Sequence, residues 1–193
     1  MIRFFLISTV TLAWGFIYSS GASISESNGT YYPEQLPGRF SGGFGEETCH
    51  SCHFDYPLNY EEGFLRVKGL PERYEAGNSY QLEVVVGRPE LVKAGFQLTA
   101  RFPDSTQAGT FRLRSDRVLI AEFDSVNVQY VQHAEDGTDT SGVNQTVWSL
   151  DWTAPLGRRS DVLFHVAANA ANGDASEFGD YILAREIRIP SHR

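Results

Sequence analysis

The chain has 193 residues, with 16 Lys and Arg against 24 Asp and Glu, a formal charge of −8 at neutral pH. That balance removes the electrostatic case for binding nucleic acid or anionic membranes. The two cysteines, Cys49 and Cys52, are too close together to staple distant parts of a fold, so stability must come from core packing and both thiols are available for chemistry.

Arg3 precedes an apolar run from Phe4 to about Tyr18, and Ser20 and Ala22 stand at the −3 and −1 positions of a leader-peptidase site. This order predicts a secretory signal peptide over residues 1–22. The apolar run is shorter than the roughly 20 residues that a membrane-spanning helix needs. No cysteine follows it to take a lipid anchor, and no second apolar span appears. The expectation is an exported chain, periplasmic or secreted, with no stable membrane span after cleavage. Cleavage leaves about 171 residues, enough for one domain with its own core.

Residues 23–63 read as an irregular segment. Gly, Ser and Pro are frequent, no period is visible, and Tyr31, Tyr32, Phe40 and Phe44 are costly to leave in water, which predicts wrapping over a surface rather than disorder. The segment holds Cys49-His50-Ser51-Cys52-His53, followed by the aromatics Phe54, Tyr56 and Tyr60. From Phe64 the texture changes to period two. Strands are predicted at Phe64–Val67, Tyr80–Val86, Gly95–Phe102, Thr110–Arg114, Val118–Phe123, Val126–Val131, Thr146–Trp152, Val162–Ala168 and Tyr181–Ile189. No stretch carries three turns of a helical stripe, and there is no internal repeat. Short strands at near-regular spacing over 64–190 predict an all-β sandwich of immunoglobulin-like type.

Cys-x-x-Cys-His is the pattern of covalent haem attachment. Two thiols at i and i+3 can add across the two vinyl groups of a porphyrin, and the next histidine then lies beneath the iron. Export, the absence of other cysteines and the flanking aromatics favour this reading, which makes haem c the expected cofactor and the protein a monohaem c-type cytochrome. Three alternatives stay open. A thioredoxin-like pair needs a βαβ setting that the surroundings lack. A structural zinc site using Cys49, Cys52, His50 or His53 needs further ligands. A local Cys49–Cys52 disulfide is the simplest alternative, and it goes with a non-catalytic extracellular binding or adhesion module.

The only methionine is Met1, which leaves with the leader, so His/Met ligation of an iron is excluded if the leader is cut. His53 is the expected proximal ligand. His133, between a strand and the turn Asp136-Gly137-Thr138, is the first candidate for the distal position, with His165 second and an open or lysine-ligated iron third. His50 belongs to the attachment loop, and His192 sits near the chain end.

Glu75-Ala76-Gly77-Asn78-Ser79-Tyr80 and Ala94 to Ala100 resemble the strands of the Reeler (reelin-type) domain. Tyr130 to His133, Trp148 to Pro155 and Ala168 to Asp174 look like its later segments. Together with the cysteine segment, the set resembles the bacterial exported Reeler-like family of choice-of-anchor type, over roughly Gly42 to Ile189. The resemblance implies an immunoglobulin-like sandwich, a haem-attachment segment and a recurring histidine at the His133 position. It leaves electron transfer, haem-based sensing and adhesion all open, and it identifies neither a redox partner nor an oligomeric state.

Remaining features have structural readings. The acidic stretch Asn172 to Asp180 fails the EF-hand spacing and reads as a hairpin loop. Arg112, Arg114 and Arg117 suit haem propionates but read more simply as an exposed strand face. Trp148 and Trp152 should face the core. No nucleophile-base-orienter set or nucleotide-binding loop is present, so an enzyme is not the expectation.

Overall fold

Alternating apolar residues build nine strands among the described residues: β1 Phe64–Lys68, β2 Ser79–Gly87, β3 Lys93–Arg101, β4 Thr110–Leu113, β5 Val118–Phe123, β6 Val126–His133, β7 Gln145–Thr153, β8 Val162–Ala171 and β9 Tyr181–Ile189. They are seen in a computed structural model, which describes residues 38–123 and 126–192. The leader expected over 1–22 and the tract through residue 37 lie outside the described residues.

The strands form two antiparallel sheets, ordered β1-β2-β7-β4 and β5-β6-β3-β8-β9. The expected all-β sandwich is what forms. Its core is the set of inward alternate residues: Leu82, Val84 and Val86 of β2, Trp148, Leu150 and Trp152 of β7, Phe96 and Leu98 of β3, and Phe164 and Val166 of β8. Large and small residues alternate across the register, with Phe96 opposite Ala168 and Ala100 opposite Phe164, so the aromatic rings have room to reach the other sheet. Phe96 meets Trp148 at a centroid distance of 4.6 Å, and Phe164 meets Trp152 at 4.8 Å. Each indole N–H is satisfied, by Gly137 O at 2.8 Å and Ala108 O at 2.9 Å. That matters because an unpaired buried donor costs about 1–3 kcal/mol.

Strands β3 and β8 differ from ordinary sandwich strands in being buried on both faces. The inner face is the core. The outer face lies under residues 38–60, a strap that carries the cysteine motif. Among the described residues, no helix is long and apolar enough to cross a membrane.

Candidate functional site

The strap is held to the outer face of the five-stranded sheet by polar contacts that the alternation of β3 creates. Gln97 and Arg101 point away from the core, and each finds a partner on the strap. The Phe40 N–H donates to Gln97 Oε1 at 2.6 Å, and Gln97 Nε2 donates to Gly38 O at 3.1 Å. Arg101, only 2% exposed, donates to Glu46 at 2.7 Å, and the Tyr130 hydroxyl donates to the same carboxylate oxygen at 2.5 Å. Burial and the Glu46 hydrogen bond push the Tyr130 hydroxyl up to about 12. A cavity of about 420 Å³ opens between Arg39, Phe44, Glu46 and Arg101, and its lining includes no cysteine or histidine.

The motif itself forms one tight turn. Thr48 starts it by accepting the His50 N–H at 3.2 Å on its hydroxyl, and Cys49–Ser51 make a single 3-10 turn. The His53 N–H donates back to Cys49 O at 3.0 Å, which fixes the histidine against the turn that bears the thiols. Both thiols are free: Cys49 is half-buried and Cys52 exposed. Burial pushes the Cys49 thiol up to about 12, with the neighbouring Cys52 adding to the rise and a backbone hydrogen bond opposing it. A thiol that stays protonated at neutral pH is a poor redox nucleophile, which argues against the thioredoxin-like alternative. His50 Nε2 lies 3.0 Å from Tyr56 O, within its own loop.

His53 is held by residues that sequence reading did not single out. Its Nδ1 lies 2.9 Å from Asp180 Oδ2, and Asp180, the residue before β9, is only 2% exposed. Asn169 of β8 donates to the same carboxylate oxygen at 2.9 Å, and the Asn172 N–H donates to the other at 3.1 Å. Both polar contacts of the His53 ring are made through Nδ1. The Gly179 N–H donates to Asp55 at 3.1 Å, and Phe54 meets Phe178 edge-on at 6.3 Å beside the site. These two rings remain 60% and 49% exposed. The acidic stretch from Asn172 to Asp180 is the β8–β9 hairpin loop, braced internally by Asn172, Asp174 and Ser176.

His133 differs from the loop residue that its sequence setting suggests. It ends β6, and its Nδ1 lies 3.1 Å from Phe96 N and 3.2 Å from Phe96 O. The ring occupies the space beside Gly95, where a Cβ would stand 2.6 Å from His133 Cε1. Gly95 is the register partner of Asn169, whose amide nitrogen lies 3.3 Å from His53 Nδ1, so the residues beside which His133 and His53 lie share one rung of the β3–β8 ladder. His165 is elsewhere: its Nε2 is 3.0 Å from Glu186, Phe44 packs against the ring at 5.1 Å, and Gly43 covers it so closely that a Cβ there would collide. Arg112 and Arg114 pair with Asp151 at 2.6 and 2.5 Å on the four-stranded sheet, and Arg117 binds the carbonyls of Val147, Gly137 and Asp139. Among the described residues no group of three or more His, Cys, Asp or Glu converges to hold a metal ion, so the zinc alternative finds no cage there.

The signal that could have exposed Asp180 is weak, since one carboxylate in an acidic loop looks like any other. No family model matches the chain, and no curated protein matches it. Among solved structures, the chain is similar to the human F-spondin reeler domain, with a TM-score of 0.48 and 20% identity over 70% of this chain and 93% of that one. It is similar also to the Reelin-N domain of F-spondin, with a TM-score of 0.48 and 21% identity over 71% of this chain and 91% of that one.

Proposed function

We propose that Cys49 and Cys52 carry one covalently bound c-type haem, with His53 as proximal and His133 as distal ligand. On this reading the protein is exported and serves electron transfer or haem-based sensing. The observation that carries it is the His53–Asp180 contact of 2.9 Å: a buried carboxylate holds Nδ1 and leaves Nε2 for a metal, beside two free thiols on the same turn. The chemistry of the donor set suits the group: the two sulfurs share one turn with the histidine, the Phe54 and Phe178 rings lie against each other with Phe54 next to it in the chain, and His133 lies over Gly95, the register partner of Asn169. Bound there, an iron porphyrin would supply one-electron chemistry. The chain's own contribution is to hold the imidazole, keep one thiol half-buried and present a second imidazole.

The test is expression of the full chain with cytochrome c maturation machinery. The expected product is red, with a c-type pyridine haemochrome spectrum and a mass raised by about 616 Da, the mass of the covalently attached group. Replacing both cysteines by alanine should abolish the gain. His133→Ala should convert a low-spin spectrum to high-spin. A colourless product at the unmodified mass overturns the reading.

A second reading rests on the exposed Phe54–Phe178 pair, since aromatic rings left in water suit recognition. In it the protein is a non-catalytic extracellular binding or adhesion module, with Cys49 and Cys52 as free thiols or a local disulfide. The same mass measurement separates the two.

A further inference from the structure

We infer that Asp180 is the positioning residue of this site. Its carboxylate accepts a hydrogen bond from His53 Nδ1–H, fixes the imidazole tautomer whose Nε2 carries the lone pair, and strengthens that nitrogen as a metal donor. The redox consequence rests on the haem reading above, whereas the tautomer does not.

The assignment of the proton follows from the three groups that meet. Asp180 Oδ2 lies 2.9 Å from His53 Nδ1 and 2.9 Å from Asn169 Nδ2, and Asn169 Nδ2 lies 3.3 Å from His53 Nδ1. An ionised carboxylate only accepts, so each neighbour must present hydrogen to it. The amide of Asn169 therefore turns its nitrogen to Asp180, because its oxygen would oppose a carboxylate. The imidazole obeys the same rule, since an unprotonated Nδ1 would set a lone pair against Oδ2. With the proton on Nδ1, the longer contact to Asn169 is a neighbourly approach of two donors that share one acceptor. Asn169 Oδ1 is buried and finds no hydrogen-bond partner, a cost accepted to keep its nitrogen on the carboxylate.

The carboxylate cannot swing away. The Asn172 N–H holds Oδ1 at 3.1 Å, and Asp180 stands at the foot of β9. The loop before it is braced by Asp174 N–H to Asn172 at 3.1 Å and Ser176 N–H to Asp174 at 2.9 Å. A carboxylate behind a ligating histidine orients the ring and raises its basicity. A negative charge one imidazole away from an iron also favours the higher oxidation state, so the site should hold iron at a lower potential than a neutral partner would.

Long-range nitrogen–proton NMR on the full, haem-free chain at about pH 8, where an ordinary imidazole is neutral, reads the tautomer directly. The expected result is Nδ1 protonated and Nε2 bare in His53. The opposite tautomer, or a fast mixture of both, overturns the inference without any variant being made. Asp180→Asn should abolish that preference and Asp180→Glu should restore part of it. In the haem-loaded chain, Asp180→Asn should raise the reduced-to-oxidised ratio at a fixed potential, because the negative charge that favours the oxidised iron is gone. An unchanged ratio overturns the redox part. If the unaltered chain takes up no haem, the haem reading fails by itself and the tautomer still decides the role of Asp180.

Discussion

Cys49 and Cys52 stand one turn apart and are chemically unequal. Burial pushes the Cys49 thiol up to about 12 and so disfavours its thiolate at neutral pH. Cys52 lies exposed on the far end of the same turn. Brief treatment of the native, haem-free chain with iodoacetamide should therefore alkylate Cys52 and largely spare Cys49, as read by peptide mapping. Unfolding in denaturant should equalise them, and equal labelling of the native chain would refute the difference. The residue identities of the motif were plain from sequence. Its inequality was not, because the burial of Cys49 depends on how its turn packs against β8, over a hundred positions along the chain. The same holds for Asp180: His53 and Asn169 are separated by 116 positions, and no local pattern marks the loop acid that reaches between them.

Strands were the most legible elements, since a period of two records which face is buried. All nine strands read from alternation exist, with ends moved by a few residues. What alternation misreports is the outer face of β3. Gln97, Thr99 and Arg101 are polar, which ordinarily means solvent, yet all are buried under the strap. At Gln97 and Arg101 polarity marks a polar partner on the strap rather than water, whereas the Thr99 hydroxyl is buried with no hydrogen-bond partner. The clasp between β4 and β7 is a second such case. Arg114 and Arg112 hold the Asp151 carboxyl below the usual carboxylate range. The sign of its pH effect follows from that direction. As pH falls below about 4, the unfolded chain takes up the proton first, so the stabilisation is complete above that pH and is lost as the folded group in turn protonates. Because Arg112 and Arg114 are largely solvated, the loss should be of the order of 1 kcal/mol. Asp151→Asn should be less stable than the parent at pH 6, with the gap narrowing as pH falls below about 4 in thermal melts; a gap that stays constant on acidification would count against the clasp.

For the whole molecule, the strap makes the sandwich asymmetric, with one sheet packed on both sides. Its anchor is the buried Glu46–Arg101 pair, with Tyr130 sharing the carboxylate. Glu46→Ala would leave Arg101 charged and unpaired in a buried site, a loss of about 3–5 kcal/mol. The expected readouts are a lower urea midpoint and earlier protease cleavage between residues 38 and 60; unaltered cleavage would show that the strap is held chiefly by other contacts. The strap also ends at the rim of the sheet. There the Asn59 N–H donates to Ile182 O at 2.8 Å, and Asn59 Oδ1 accepts the Ala184 N–H at 2.8 Å. Strand β9 is an outer strand of its sheet, so these two bonds occupy backbone groups that would otherwise be open to a strand from another molecule. The segment that bears the thiols thus also guards against edge-to-edge aggregation: a chain cut or loosened there offers its neighbours a template for strand pairing.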